Sequence, residues 1–157
     1  MLILLIKFEK DVMHLRFCDF QNKVLLLSSK QKILLSYPSR GQKYQQILNE
    51  LQLLKKKDTF EAFAYHAPQK YRGAIKDEEA YANAAILHLF CEEEKIQLIE
   101  LSAPLVRDRL NISNKDFKHL LEQEKQHCID VLSIAKSDKC LDGVVLLRAL
   151  NGLNHTP

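Results

Sequence analysis

Glycine is scarce in this chain, with only four among 157 residues. Dinucleotide-binding and P-loop sites need several glycines close together, because the backbone must approach the phosphates without a Cβ atom in the way. Here the glycines stand far apart, at positions 41, 73, 143 and 152. The sequence therefore excludes a glycine-rich phosphate loop of either kind.

Paired cysteines are missing as well. The four cysteines (Cys18, Cys91, Cys128 and Cys140) are far apart and form no C-x-x-C motif, the usual spacing of structural zinc and redox sites. The apolar opening MLILLIKFEK is short and has no basic residues ahead of it, so it predicts a buried strand rather than a secretory signal or membrane helix. We therefore expect free, mostly buried thiols in a reducing, cytoplasmic compartment.

Neither sign of charge dominates, since the formal net charge is only +3. A committed nucleic-acid-binding protein usually has a larger or more clustered basic excess, so this charge permits an acidic partner without requiring one. An apolar content of 46% and a charged content of 27% are typical of a globular protein. The length predicts a single domain over residues 1–157.

The first 38 residues are rich in strand patterns. Residues 2–8 are nearly all apolar, as in a central strand covered on both faces. Residues 12–18 alternate, with Met13, Leu15 and Phe17 on one face and polar residues on the other. The run NKVLLLSSKQKILLSYP provides further strand material before Pro38. Together these patterns predict an antiparallel meander.

Helical and strand patterns then alternate. Apolar residues at helical spacing predict helices over residues 41–57, 76–95, 116–127 and 139–150. Strands are predicted at 59–66 and 96–102. Because strands joined by helical crossovers run parallel, we predict an α/β fold with a mixed five-stranded sheet, antiparallel in its front half and parallel in its back half, and helices on both faces.

Three stretches give this pattern a family resemblance: FEAFAYHAPQKYRGAIKDEEAYANAAILHLF, IQLIELSAPLVRDRL and KSDKCLDGVVLLRAL. All three resemble parts of the RuvC-type Holliday-junction resolvases and of small bacterial RuvC-like proteins. The first stretch resembles a strand, a basic loop and an alanine-rich helix of that family. The second resembles a strand with the segment that follows it, and the third resembles the closing helix. The resemblance covers most of the chain from about residue 35 onward, and before that the match is in pattern only. It implies a ribonuclease H-like fold.

The resemblance also implies a metal-dependent nuclease site. In that family, carboxylates from the first strand, from the strand before the basic loop and from the last helix hold two Mg²⁺ ions, which activate water and stabilise the leaving oxygen. Here the first position corresponds to Lys7, with Glu9 two residues on and on the same face. The second corresponds to Tyr65. The last segment keeps Asp138 and Asp142, which are four residues apart and so are expected on one helix face.

Lys7 and Tyr65 thus predict a degenerate site without a metal cofactor. An ammonium group repels a divalent ion, and we expect Lys7 to pair with Asp142 in place of the metal. In the alternative interpretation, Glu9, Asp138 and Asp142 are catalytic carboxylates that bind Mg²⁺ or Mn²⁺. Asp138 and Asp142 also suit a helix cap and a partner for Lys7.

The loop at the end of the predicted fourth strand is basic. Lys70, Tyr71, Arg72 and Gly73 are candidates for binding phosphate and stacking on a base, with His66 beside them. A solvated loop is the plain alternative, and a hydrogen-bonded loop histidine is the plain alternative for His66.

Three functions follow from these patterns. The first is non-hydrolytic binding of DNA or RNA by a RuvC-like domain. The second is a divergent Mg²⁺- or Mn²⁺-dependent nuclease. The third is an interaction module without nucleic acid, for which a homodimer is the expected assembly by analogy.

Overall fold

The fold begins with three paired strands. A computed structural model describes residues 1–22, 24–68, 70–71, 74–75 and 77–153. The first elements are β1 (Leu2–Glu9), β2 (Val12–Gln21) and β3 (Val24–Leu34). They form an antiparallel meander. The strand-rich front is confirmed, and both apolar runs of the third region belong to one long strand.

The rest of the chain alternates between helices and short strands. In chain order these are α1 (Arg40–Lys57), β4 (Ala62–His66), β5 (Lys70–Tyr71), β6 (Ala74–Ile75), α2 (Glu78–Glu94), β7 (Gln97–Leu101), α3 (Ala103–Leu110), α4 (Asn114–Asp130) and α5 (Leu141–Leu153). Asp77 caps α2 by accepting a hydrogen bond from the Ala80 N–H, and Ser113 caps α4 by accepting one from the Asp116 N–H. Such caps satisfy N–H groups that lack a partner in the first turn.

The main sheet has five strands in the order β3-β2-β1-β4-β7. β1 is antiparallel to β2, and β2 to β3, whereas β4 runs parallel to both β1 and β7. β5 and β6 form a separate small hairpin that the sequence pattern does not predict. The predicted mixed sheet, antiparallel in front and parallel behind, is confirmed.

Helices cover both faces of this sheet. Leu4 and Ile6 of β1 belong to one core, together with α1 and α2. Ile3 and Leu5 belong to the other core, with α3, α4 and α5. Successive side chains of a strand point to opposite faces, so each odd-numbered residue of β1 faces α5. This parity decides which polar side chains meet at the site.

α5 lies close against the sheet at Gly143. A Cβ atom at that position would lie 3.2 Å from the Cδ atoms of Leu5 and 3.5 Å from the Cβ of His66. A glycine therefore lets the first turn of α5 approach the ends of β1 and β4. This contact places Asp142 next to the strand ends.

Two helices differ from the sequence prediction. Residues 103–110, for which the sequence predicts no helix, form the short helix α3 behind the cap Ser102. The last helix begins at Leu141 instead of residue 139. Asp138 therefore precedes α5, and the expectation that it shares a helix face with Asp142 is wrong.

All four cysteines are free and buried, as predicted. Burial raises the pKa of the Cys128 thiol to about 11 and that of the Cys18 thiol to about 12. Burial likewise raises the pKa values of Cys91 and Cys140 to about 12. Such thiols stay protonated and unreactive at neutral pH. Among the described residues, no helix combines the length and apolar character that crossing a bilayer requires.

Candidate nucleic-acid cleft

The candidate site lies where the parallel strands end. The carboxyl ends of parallel strands meet at one edge of an α/β sheet, which is where such folds usually bind ligands. Ile6 of β1 is in register with Tyr65 of β4, so the next residues along, Lys7 and His66, are neighbours on the face that α5 covers. The backbone pairing alone therefore brings an ammonium and an imidazole together.

A cavity of about 390 Å³ opens at these strand ends. We call it the strand-end cavity. Its lining residues come from β1, β4, the loop after β4 and the first turns of α2 and α5: Lys7, Phe8, Glu9, His66, Ala67, Pro68, Asp77, Ala80 and Asp142. Four of the residues singled out from sequence, namely Lys7, Glu9, His66 and Asp142, therefore share one cavity.

Tyr65 does not line this cavity. Its side chain is 4% exposed and packs in the core with α1 and α2, on the opposite face of the sheet. Its hydroxyl lies 2.7 Å from His88 Nε2. Burial raises the pKa of Tyr65, and the nearby Glu100 carboxylate raises it further. The β4 residue beside Lys7 is thus His66. Because side chains alternate along a strand, Tyr65 and His66 point to opposite faces, and this alternation could have identified His66 from the sequence.

Asp138 is held by a buried arginine. Its Oδ2 accepts a short hydrogen bond from the Arg16 guanidinium, and its Oδ1 accepts one of 2.8 Å from the Cys140 N–H. The side chains of Arg16 and Asp138 are only 10% and 7% exposed. Both carboxylate oxygens therefore have partners within the chain. Arg16 is the residue that the sequence reasoning missed, although the alternation of β2 puts it on this face.

Glu9 is also paired. Its carboxylate lies 3.2 Å from Lys139 Nζ and 3.6 Å from His14 Nε2. Partial burial raises the pKa of Glu9, but the hydrogen bond and charge of Lys139, together with the interaction with His14, outweigh burial and lower that pKa overall. Glu9 is therefore an ionised carboxylate engaged by its own chain.

Asp142 is the most accessible of the three candidate carboxylates. Its side chain is 59% exposed, and its Oδ1 lies 3.9 Å from Lys125 Nζ. The pairing of Asp142 with Lys7 that the sequence suggests is not made: within the described part of the chain, no ion pair joins them, although both line the strand-end cavity. The lysine that neutralises Asp142 comes from α4.

This donor set does not match a two-magnesium site. Mg²⁺ requires several oxygen ligands in near-octahedral geometry. Among the described residues, no group of three or more His, Cys, Asp or Glu side chains is arranged to hold a metal ion. Each of the three candidate carboxylates already contacts a cationic side chain, and Lys7 lines the strand-end cavity together with Glu9 and Asp142.

His66 occupies the junction between two cavities. Its Nδ1 atom is buried, and no described residue forms a hydrogen bond with it. Burial lowers the pKa of His66, the charge of Lys7 lowers it further, and Asp142 partly opposes both. The imidazole is therefore neutral at neutral pH.

The second cavity is larger, at about 830 Å³, and lies between β4, α3, α4 and α5. We call it the apolar chamber. Its lining residues are His66, Ala67, Pro68, Glu100, Ser102, Ala103, Pro104, Leu105, Lys118, Leu121, Glu122, Lys125, Asp142, Val145 and Leu146. Four of them, His66, Ala67, Pro68 and Asp142, also line the strand-end cavity. The two cavities therefore adjoin.

Further lysines extend the positive charge of Lys7 across the sheet. Lys30 is in register with Arg16, and Lys32 with His14, so these lysines and Lys7 point to the same face of the sheet. Both β3 lysines are exposed, and among the described residues neither takes part in an ion pair. We call Lys7, Lys30 and Lys32 the basic face. The sequence reasoning missed its two β3 members, because their facing depends on strand register.

The predicted basic loop is only partly described. Lys70 and Tyr71 form β5, of which the backbone alone is described here, and Arg72 and Gly73 lie outside the described residues. Their predicted roles in binding phosphate remain predictions. His66 is the member of that set that the structure brings to the cavity.

We expect Arg16 and Asp138 to be strongly coupled in their contributions to the free energy of unfolding. Arg16→Met should lower the free energy of unfolding by about 3–5 kcal/mol, because it leaves the buried Asp138 carboxylate without its cation. Adding Asp138→Asn to Arg16→Met should recover much of that loss. Urea denaturation of the two single variants and the double variant measures the coupling. Additive losses would contradict it.

Stability should also depend on His66 as the pH falls. The pKa of His66 is below its ordinary value of 6.5 in the folded chain, so the unfolded chain takes up the proton first. The contribution of neutral His66 to the free energy of unfolding is therefore present above the pKa that His66 has in the unfolded chain. It is lost as the pH falls toward the pKa that His66 has in the folded chain. Denaturation midpoints of the native chain should drop between about pH 7.5 and about pH 5 more than those of His66→Gln. Equal drops would refute this assignment.

Comparison with known proteins finds relatives in structure only. No protein-family model matches the sequence, and no curated protein matches it either. RuvC of Thermus thermophilus is 12% identical with a TM-score of 0.67, over 98% of this chain and 94% of that one. The yeast mitochondrial Holliday junction resolvase is 14% identical with a TM-score of 0.59, over 98% and 80%.

A third similar structure is the fowlpox virus resolvase in complex with Holliday junction DNA. It is 11% identical, with a TM-score of 0.54 over 98% of this chain and 97% of that one. At such identities a likeness establishes the fold, and here it extends over nearly the whole of each chain. The protein therefore has a ribonuclease H-like fold in the arrangement of the RuvC-type resolvases.

Proposed function

We propose that this protein binds nucleic acid at the cleft beside β1 and β4 without hydrolysing it. The observation that carries the proposal is the charge pairing at the cleft. The three candidate carboxylates, Glu9, Asp138 and Asp142, are paired with Lys139, Arg16 and Lys125 respectively. The side chains that a nuclease would use for divalent ions are thus engaged by cations of the same chain.

Lys7 adds a direct electrostatic reason. At a separation of about 4 Å and an effective dielectric constant of about 20, like charges repel by roughly 4 kcal/mol per unit charge. A divalent ion in the strand-end cavity would experience this repulsion twice over. A phosphate group would instead be attracted to Lys7. The same ammonium therefore disfavours hydrolysis and favours binding of a polyanion.

The fold and the basic face together favour nucleic acid as that polyanion. Structures of the same fold, RuvC of Thermus thermophilus and the fowlpox virus resolvase, are known in complex with Holliday junction DNA. In this chain, Lys30 and Lys32 lie on the same side of the sheet as Lys7. We propose that a nucleic-acid backbone crosses the basic face toward the strand-end cavity, and that Lys70 and Arg72 add contacts from the loop.

Charge removal from the basic face tests the proposal. Lys30→Ala combined with Lys32→Ala should weaken binding to junction and single-stranded DNA, and should reduce the slope of log K against log salt by about 2, because two phosphate contacts are lost. Fluorescence anisotropy across a salt series measures both quantities. Lys56→Ala with Lys57→Ala removes the same charge from the end of α1, on the other layer, and should change neither by a comparable amount.

Two outcomes would defeat the proposal. Absence of binding at low salt, or equal losses in the two double variants, would remove the basic face as the nucleic-acid surface. Cleavage of labelled junctions in Mg²⁺ or Mn²⁺ that Asp142→Asn abolishes would establish the nuclease alternative instead.

We also propose that the protein forms a homodimer through α2. Tyr81, Ala85 and Leu89 are spaced at one turn of this helix and form an exposed apolar stripe, in which Tyr81 is 49% and Leu89 is 52% exposed. Contiguous apolar stripes on helices are typical of association surfaces, and a two-fold contact lets one stripe cover its copy.

Sedimentation velocity tests this assembly. Leu89→Glu should convert a dimer to a monomer, because it introduces a buried charge at the contact. Leu53→Glu makes the same substitution at an exposed leucine of α1 (61% exposed) and should leave the dimer intact. A native chain that sediments as a monomer at high concentration excludes the dimer.

A further inference from the structure

The apolar chamber has chemistry that the basic face does not explain. Its volume of about 830 Å³ falls in the range of roughly 300–1,000 Å³ that is typical of sites for small organic molecules. Pro68, Pro104, Leu105, Leu121 and Val145 supply apolar walls. A sugar–phosphate backbone is strongly hydrated and gains little from contact with apolar walls. The chamber suits an uncharged, flat group.

The charges around the chamber point the same way. The two lysines of the lining, Lys118 and Lys125 on α4, face three carboxylates, Glu100 of β7, Glu122 of α4 and Asp142 at the start of α5. A rim with more carboxylates than lysines does not attract a phosphate strongly. Its carboxylates can accept hydrogen bonds from the amino and imino groups of a nucleobase.

The two cavities meet at His66, and this junction sets the direction of a ligand. Lys7 lies on the side of the strand-end cavity, and the apolar walls lie on the other side. The half-buried His66 lines both cavities. A ligand that spans the junction would meet a cation first, then the His66 side chain and then an apolar chamber. A nucleotide has its groups in this order: phosphate, sugar and base.

We propose that the two cavities together bind a single unpaired nucleotide, with its phosphate beside Lys7, its sugar near His66 and its base in the apolar chamber. This inference rests on the proposed function and refines it, because it names an extrahelical or single-stranded nucleotide as the preferred element of the nucleic acid. A base that is already unpaired enters such a pocket without the cost of leaving a stack. Burial of its faces against the prolines and leucines supplies the favourable term.

Removal of the base from the ligand tests the chamber. A short labelled single-stranded oligonucleotide should bind about tenfold more tightly than the same strand in which abasic sites replace the central nucleotides, because only the first places a base in the chamber. Fluorescence anisotropy at constant salt compares the two ligands, which carry the same phosphates.

Two variants separate the chamber from general effects. Ala103→Trp adds bulk at the exposed first position of α3, a residue that lines the chamber, and should reduce binding of the intact strand to the level of the abasic strand. Leu53→Trp introduces the same side chain on α1 and should preserve the tenfold preference. Thermal melting followed by circular dichroism checks that both variants are folded.

The outcomes separate the chamber from the proposed function. Equal affinity for the intact and abasic strands refutes the chamber and leaves nucleic-acid binding at the basic face standing. Binding of a free nucleoside monophosphate, blocked by Ala103→Trp, without binding of any strand supports the nucleotide site and refutes the proposed function. Absence of binding to both kinds of ligand refutes both.

Discussion

The buried ion pair between Arg16 and Asp138 joins the sheet to the segment that leads into α5. Arg16 comes from the middle of β2, and Asp138 stands three residues before the helix. The same carboxylate accepts the Cys140 N–H, so one side chain orders both the turn and its attachment to the sheet. The close contact of Gly143 with Leu5 and His66 then brings the first turn of α5 onto the strand ends. The position of Asp142 at the cleft depends on these two contacts.

The cleft is thus built from charges that neutralise one another within the chain. Two of the cations involved, Arg16 and Lys139, come from β2 and from the turn before α5, and the third, Lys125, comes from α4. Because each carboxylate has its cation within the fold, the cleft does not need a divalent ion to hold it together. Lys7, for which no carboxylate partner is found among the described residues, is the charge that remains for a ligand.

The two cavities divide polar from apolar chemistry along one groove. The strand-end cavity contains Lys7 and borders the basic face, whereas the chamber has proline and leucine walls and a rim of two lysines and three carboxylates. The division arises from the layer structure, since strand ends contribute the polar side chains and the spaces between α3, α4 and α5 contribute the apolar ones. His66, neutral and half-buried at the junction, belongs to both. A ligand with one charged end and one flat apolar end is the natural complement.

Local patterns in the sequence determined the order of elements, the mixed sheet, the free buried thiols and the alternation within β2, because each depends on side-chain periodicity or spacing along a continuous segment. The resemblance to the resolvases added Lys7, Glu9 and Asp142 as residues of one site. Local patterns failed where spatial register between segments decides the outcome. The choice of His66 over Tyr65 follows from the β1–β4 pairing, and the capture of Asp138 by Arg16 joins residues that are far apart in the chain. The small hairpin and α3 are too short for periodicity to reveal. Only the tertiary structure decided which charges meet, because a pairing across the fold leaves no mark on the sequence close to either partner.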